Sequence, residues 1–157
     1  MKSAKALYED LQRHRQPFLD RARDASALTI PGLVPRDGHN STTNLVTPWQ
    51  SVGSRGVNNL ASKLLLTLLP PNTPFFRLTT DPFLIGLAQE VGGEAKSEIE
   101  AALAKVEQAV AGELETVPIR PQFHEACKHL VVAGNVCLFL PPKGGPVRNY
   151  LLSNFVI

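Results

Sequence analysis

Apolar and polar positions alternate with helical period over most of the chain, and prolines and glycines cut it into five helical candidates and a β-like tail. The first candidate runs from about Ser3 to Ala27. Leu7, Leu11, Phe18, Ala22 and Ala25 recur at near-helical spacing, while Arg13, Arg15, Arg21 and Arg23 lie on other faces among Asp20 and Asp24. Pro17 inside this pattern predicts a kink or a split into two helices. Ile30-Pro31-Gly32 ends the segment, and Pro35 to Asn44 reads as turn-rich loop.

The second candidate opens on Thr47-Pro48-Trp49-Gln50, with Thr as N-cap, Pro at the first helical position and Gln three residues after the cap. Trp49, Val52, Gly56, Leu60, Leu64 and Leu68 form its apolar stripe, opposite Ser51, Arg55, Asn58, Asn59, Ser62 and Lys63. Gly53 and Gly56 each weaken a helix interior by about 1 kcal/mol relative to Ala, so their expected role is to let another backbone approach closely. Pro70-Pro71 stops the helix. Phe75-Phe76-Arg77-Leu78 reads as a short strand, and a small helix is expected near Pro82 to Gln89, broken by Gly92-Gly93.

The fourth candidate spans about Glu94 to Thr116. Ile99, Leu103, Val106, Val110, Leu114 and Val117 step by three and four, close to a heptad seam that would lie flat on a partner helix. Pro121 opens a fifth helix and Gly134 closes it, with Phe123, Cys127, Leu130 and Val131 on the buried side. Val136 to Leu140 suits a buried strand. Lys143-Gly144-Gly145-Pro146 suits a turn, and Tyr150 to Ile157 is strand-like again. The expected fold class is therefore α+β, mainly α, with a short β-hairpin near the C-terminal end. An apolar Phe155-Val156-Ile157 ending predicts a fold interrupted before completion.

Composition changes this picture little. The chain has 157 residues, 43% hydrophobic and 19% charged, which is ordinary globular usage for one domain. A net charge of +2 is too small to declare a nucleic-acid binder. Cys127 and Cys137 read as buried free thiols in a reducing compartment rather than a disulfide framework. The charged N-terminus has no apolar signal core, and no apolar run approaches a membrane span. Asn40-Ser41-Thr42 matches a glycosylation sequon only by chance on this reading.

His124-Glu125-Ala126-Cys127-Lys128-His129 sets two histidines five residues apart, where a helical zinc-hydrolase motif needs four. At 100° per residue the second ring turns about 140° away, so a solvated helix face around a buried Cys is expected. Phosphate loops and nucleophile elbows are absent, and the carboxylates Glu98, Glu100, Glu113 and Glu115 read as a solvated face. The expectation is no catalytic residue, no cofactor and no metal. Arg13, His14, Arg15, Arg21, Arg23 and Arg36 support a rival, a stand-alone helical DNA-binding module using the basic N-terminal helix, and a third reading is a hydrolase using His124, Glu125 and His129. Glu9, Asp10, Asp20 and Asp24, interleaved with the arginines, favour an ordinary charged surface.

Three segments taken together resemble a known family. They are Tyr8-Glu9-Asp10-Leu11 through Arg21-Ala22-Arg23 to Thr29-Ile30-Pro31; the run from Thr47-Pro48-Trp49-Gln50 to Ala61-Ser62-Lys63-Leu64; and Leu130-Val131-Val132-Ala133-Gly134-Asn135-Val136. Their order and spacing resemble the N-terminal part of the portal protein, or head-to-tail connector, of short-tailed bacteriophages. The resemblance implies a structural, non-enzymatic subunit of a ring, usually of twelve copies, at one capsid vertex of the virion, assembled in the host cytoplasm. It implies a channel for packaging and ejecting double-stranded DNA. The implied partners are the major capsid protein, scaffolding protein, terminase, tail adaptor and internal core proteins, with no small-molecule substrate. Residues 1–157 would form the N-terminal part of the wing domain, without stem or clip, so no tunnel-lining or terminase-contact residue carries over. Under this reading the second helix packs closely within the wing, and Gly56→Leu would destabilise the subunit or block ring assembly.

Overall fold

The computed structural model describes residues 3–71, 75–81, 93–142 and 145–156. The described residues form α1 (Ala4–Leu28), α2 (Val52–Leu68), α3 (Gly93–Thr116), α4 (Ile119–Ala133), β1 (Cys137–Phe139), β2 (Arg148–Tyr150) and a short 3-10 turn, Leu152–Asn154. The mainly helical class with a small C-terminal hairpin is what the periodicity predicts. The proposed helix near Pro82 to Gln89, its break at Gly92, the Lys143-Gly144 half of the turn and Ile157 lie outside the described residues.

Helix α1 is capped by Ser3, whose side chain accepts from the Ala6 amide, and it runs unbroken through Pro17. Of the two outcomes expected, a kink or a split, the split does not occur. Proline removes one backbone donor, which orphans the Arg13 carbonyl, but Arg13 and Pro17 both lie on the solvent side. The stripe that packs is Leu19, Ala22, Arg23 and Ser26, with Leu11 and Arg15 half-buried ahead of it. Leu7 and Phe18 are exposed, so the predicted stripe was displaced, and two of the arginines assigned to outer faces sit on the inner one.

Ser26 explains how the chain turns after α1. It is fully buried; its hydroxyl donates to the Ile30 carbonyl at 2.7 Å and accepts from the Val34 amide at 3.0 Å. One side chain thereby pairs two backbone groups of a non-helical segment under the helix. That turn delivers Leu33 and Val34 into a core with Leu19, Ala22 and Leu152, against which Ile30, Val132, Ala133 and Phe155 pack.

Helix α2 starts later than its sequence signature suggests. Thr47-Pro48 is not the cap; the first turn closes from the Arg55 amide to the Ser51 carbonyl at 2.9 Å. Trp49 precedes the helix and is fully exposed. The buried side is Val57 and Ala61, one residue beyond the predicted Gly56 and Leu60, a rotation of about 100°. Tertiary contact decides both differences. A Cβ on Gly53 would stand 2.9 Å from the Leu28 carbonyl oxygen and 3.3 Å from the Thr29 Cα. The close approach foreseen for both glycines belongs to Gly53, while Gly56 has nothing within 4 Å.

Helix α4 packs against both α1 and α2. Its first turn contains Pro121 at the third position rather than the first, which is tolerated because opening-turn amides have no intrahelical partner. Gly134 closes it in the left-handed conformation at φ 75°, its amide bonding the Leu130 carbonyl. Ala126, Cys127 and His129 are buried, Phe123 and Val131 are half-buried, and Leu130 is exposed. The hairpin pairs antiparallel, Cys137 with Tyr150 and Phe139 with Arg148, so the second strand precedes the stretch predicted for it. Cys137 is half-buried rather than buried, and both thiols are free. Residues 75–81 form no strand; the Leu78 amide donates to Glu107 on α3 instead.

The glycines give a direct check. Gly53→Ala should lower stability by about 1–3 kcal/mol through overpacking against backbone. Gly56→Ala should raise it by about 0.5–1 kcal/mol, since only helix propensity changes. Urea unfolding of the two variants, followed by circular dichroism, separates them.

Candidate functional site

The basic residues of α1 are committed within the chain. The Arg15 guanidinium donates to the Ser153 carbonyl at 3.0 Å and the Phe155 carbonyl at 2.7 Å, tying the C-terminal segment to α1. Arg23 is buried and paired with Asp37 and, at 3.5 Å, with Asp20. Arg13 pairs with Asp10 and Arg36 with Asp24. Arg21 bonds the Pro17 carbonyl and stacks over Phe18 at 4.9 Å. Arg15 and Arg23 are thus taken up in holding the fold, while Arg13, Arg21 and Arg36 stay at the surface beside neighbouring acceptors, so the basic face open to phosphate is smaller than the sequence suggests.

The α4 histidines diverge as their spacing requires. His124 faces α2, with Nε2 3.2 Å from the Ser62 hydroxyl. That hydroxyl also lies 2.8 Å from the Asn58 carbonyl, to which it donates its proton. The ring therefore donates to the hydroxyl and does not activate it, so the pair has the wrong polarity for a nucleophile and its base. His129 is buried, unlike the solvated face expected of it, with Glu125 3.7 Å away and Lys128 bonded to the other Glu125 oxygen at 2.5 Å. Burial pushes the His129 pKa below its ordinary value, outweighing the pull of Glu125, and Lys128 acts in the same direction as burial. Burial likewise raises the Cys127 thiol, which keeps it protonated and unreactive. Among the described residues no group of three metal-ligating side chains comes together, and no helix is long and apolar enough to cross a membrane.

Arg120 anchors the junction of α2, α3 and α4. It donates to the Leu69 and Pro70 carbonyls at 2.6 and 3.4 Å, satisfying the end of α2, and pairs with Glu115 at 2.8 Å. Beside it, a cavity of about 400 Å³ is lined by Leu69, Phe75, Ala104, Ala111, Leu114 and Ile119. Of its polar side chains, Glu107, Glu115 and Arg120 are engaged with the chain's own groups, and Gln108 is the other. This is a packing gap without a set of convergent free donors.

What the molecule offers is surface. Trp49, Val52 and Leu60 stand open at α2, and Ile99, Val106 and Val110 stand open on α3, which buries no residue fully among those described. Exposed apolar stripes on well-formed helices mark interaction surfaces. Among the described residues no constellation suited to catalysis comes together, and the exposed stripes suit an interaction surface.

Comparison with known proteins identifies the family. The chain belongs to the family described as bacteriophage head to tail connecting protein, which it matches over residues 1–157. It is 43% identical over 159 aligned residues to the portal protein of Escherichia phage T7, covering 98% of this chain and 29% of that protein. The portal proteins of Enterobacteria phages T3 and SP6 are 38% and 35% identical over 98% and 94% of this chain. The chain spans about 29% of the length of these relatives.

Two expectations follow. Because His129 is held below its ordinary value of about 6.5, the unfolded chain binds more protons than the folded one as pH falls through that value. Stability should be full at neutral pH and decline on acidification through that range, and His129→Leu should flatten the decline in urea midpoint against pH. Arg23→Ala should cost about 1–3 kcal/mol, because it removes a buried hydrogen-bonded cation and its packed stem. Arg13→Ala, at an exposed pair, should leave the midpoint unchanged.

Proposed function

We propose that this chain is part of a phage portal subunit: a structural, non-enzymatic component of the ring that forms the DNA channel at one capsid vertex. The observation that carries this reading is 43% identity to a portal protein across 98% of the chain. Residues 1–157 would contribute the N-terminal part of the wing, the outer body of a ring, usually of twelve copies. The structural features that support it are the unpartnered apolar stripes and the internal use of the arginines.

In this role the work is mechanical. The wing holds a rigid frame by interfaces that repeat around an axis and close on themselves. Terminase would supply the hydrolysis that moves double-stranded DNA, and the ring would contact major capsid protein, scaffolding protein, tail adaptor and internal core proteins in turn. It would be carried in the virion after assembly in the host cytoplasm.

Electron micrographs of the purified full-length protein test the reading. Rings with a central channel are the expected result; uniformly monomeric particles would refute it.

A further inference from the structure

Two open stripes on the chain carry opposite charge. On α2, burial of Val57 and Ala61 leaves Val52, Gly56 and Leu60 on the solvent side, and Arg55 and Lys63, which the sequence pattern sets opposite that stripe, are exposed beside it, with no acidic residue anywhere in the helix. Nothing lies within 4 Å of where a Gly56 Cβ would stand, so a second helix has room to approach. Trp49, fully exposed, stands just ahead of the stripe. On α3, Ile99, Val106 and Val110 are exposed at steps of seven and four, accompanied by exposed Glu98 and Glu113. That helix carries six acidic residues against two lysines.

We infer that these stripes are the two halves of one head-to-tail contact, in which α2 of one copy packs against α3 of the next. The inference rests on the portal reading and names the surfaces that would build its ring. Pairing α2 with α2 would bring two basic faces together, and pairing α3 with α3 two acidic ones, so symmetric pairing is penalised. Pairing α2 with α3 buries apolar side chains between opposite charges. Because the two patches lie on different helices, the contact is heterologous and repeats from copy to copy, closing into a ring when the rotation allows. The apolar residues and Trp49 supply the affinity, and the charges select partner and register.

Charge reversal in trans tests this. One variant carries Arg55→Glu and Lys63→Glu; the other carries Glu98→Lys and Glu113→Lys. All four side chains are exposed, so circular dichroism should report unchanged folds. In sedimentation velocity at low salt the unmodified chain should self-associate, and each variant alone should associate at least about 10-fold more weakly. An equimolar mixture should recover association, because the acidic α2 of one variant meets the basic stripe of the other and the remaining pair is unaltered. Recovery upholds the contact even if micrographs of the full-length protein show no channelled ring, which would count against the portal reading alone. An unmodified chain that stays monomeric, variants that associate like it, or a mixture that fails to recover would overturn the contact, and rings in the micrographs would leave the portal reading standing.

Discussion

Helix α4 lies against both α1 and α2, and small buried residues stand on all three helices. Ala22 on α1, Ala61 on α2, and Ala126 and Cys127 on α4 are all buried. Short side chains bring helix axes close, and close axes place polar groups of one helix beside backbone of another. Arg120 then reaches the carbonyls at the end of α2, and Asn149 of β2 donates to the Gln122 carbonyl at the start of α4. A bulky residue at Ala61, which has no exposed surface, would separate the helices and undo these bonds together.

The core is correspondingly thin. Leu19, Leu33, Val34 and Leu152 are its large members, and much of the remaining order comes from side chains that pair with backbone. Several of the large apolar residues on α2 and α3 point outward instead. With Trp49, Leu60, Val106 and Val110 open to solvent, the chain presents apolar surface that a partner could cover. This distribution agrees with membership of a family of connecting proteins and with the absence of any convergent catalytic geometry among the described residues.

Element existence was legible in the sequence, and helix orientation was less so. Gly134 marked the end of α4 because a left-handed residue there needs no Cβ, and the three-four stepping of α3 gave its span nearly to the residue. The faces of α1 and α2 were misread for one reason. Hydrophobicity ranks Phe18 and Leu60 above Ser26 and Ala61, yet close packing selected the small residues. Thr47-Pro48 has the chemistry of a helix start, but the fit of Gly53 against Leu28 and Thr29 moved the start to Val52. Five-residue spacing turns the two histidine rings to different sides of α4, but it gave no sign that His129 would be buried. The buried roles of Arg15 and Arg23 had one available signal: with Leu19, Ala22 and Ser26 they share a continuous helical row.

Arg15 and Arg120 grip carbonyl oxygens, at Ser153 and Phe155 in one case and Leu69 and Pro70 in the other. Every amino acid presents that oxygen, so for these contacts the gripped positions are interchangeable while the gripping ones are not. Relatives can drift freely in the side chains at one end of each clamp without loosening it. The two arginines have less latitude: Arg15 serves both of its carbonyls through one terminal nitrogen, and at Arg120, where each terminal nitrogen takes one carbonyl, lysine would keep the charge but lose the planar fork.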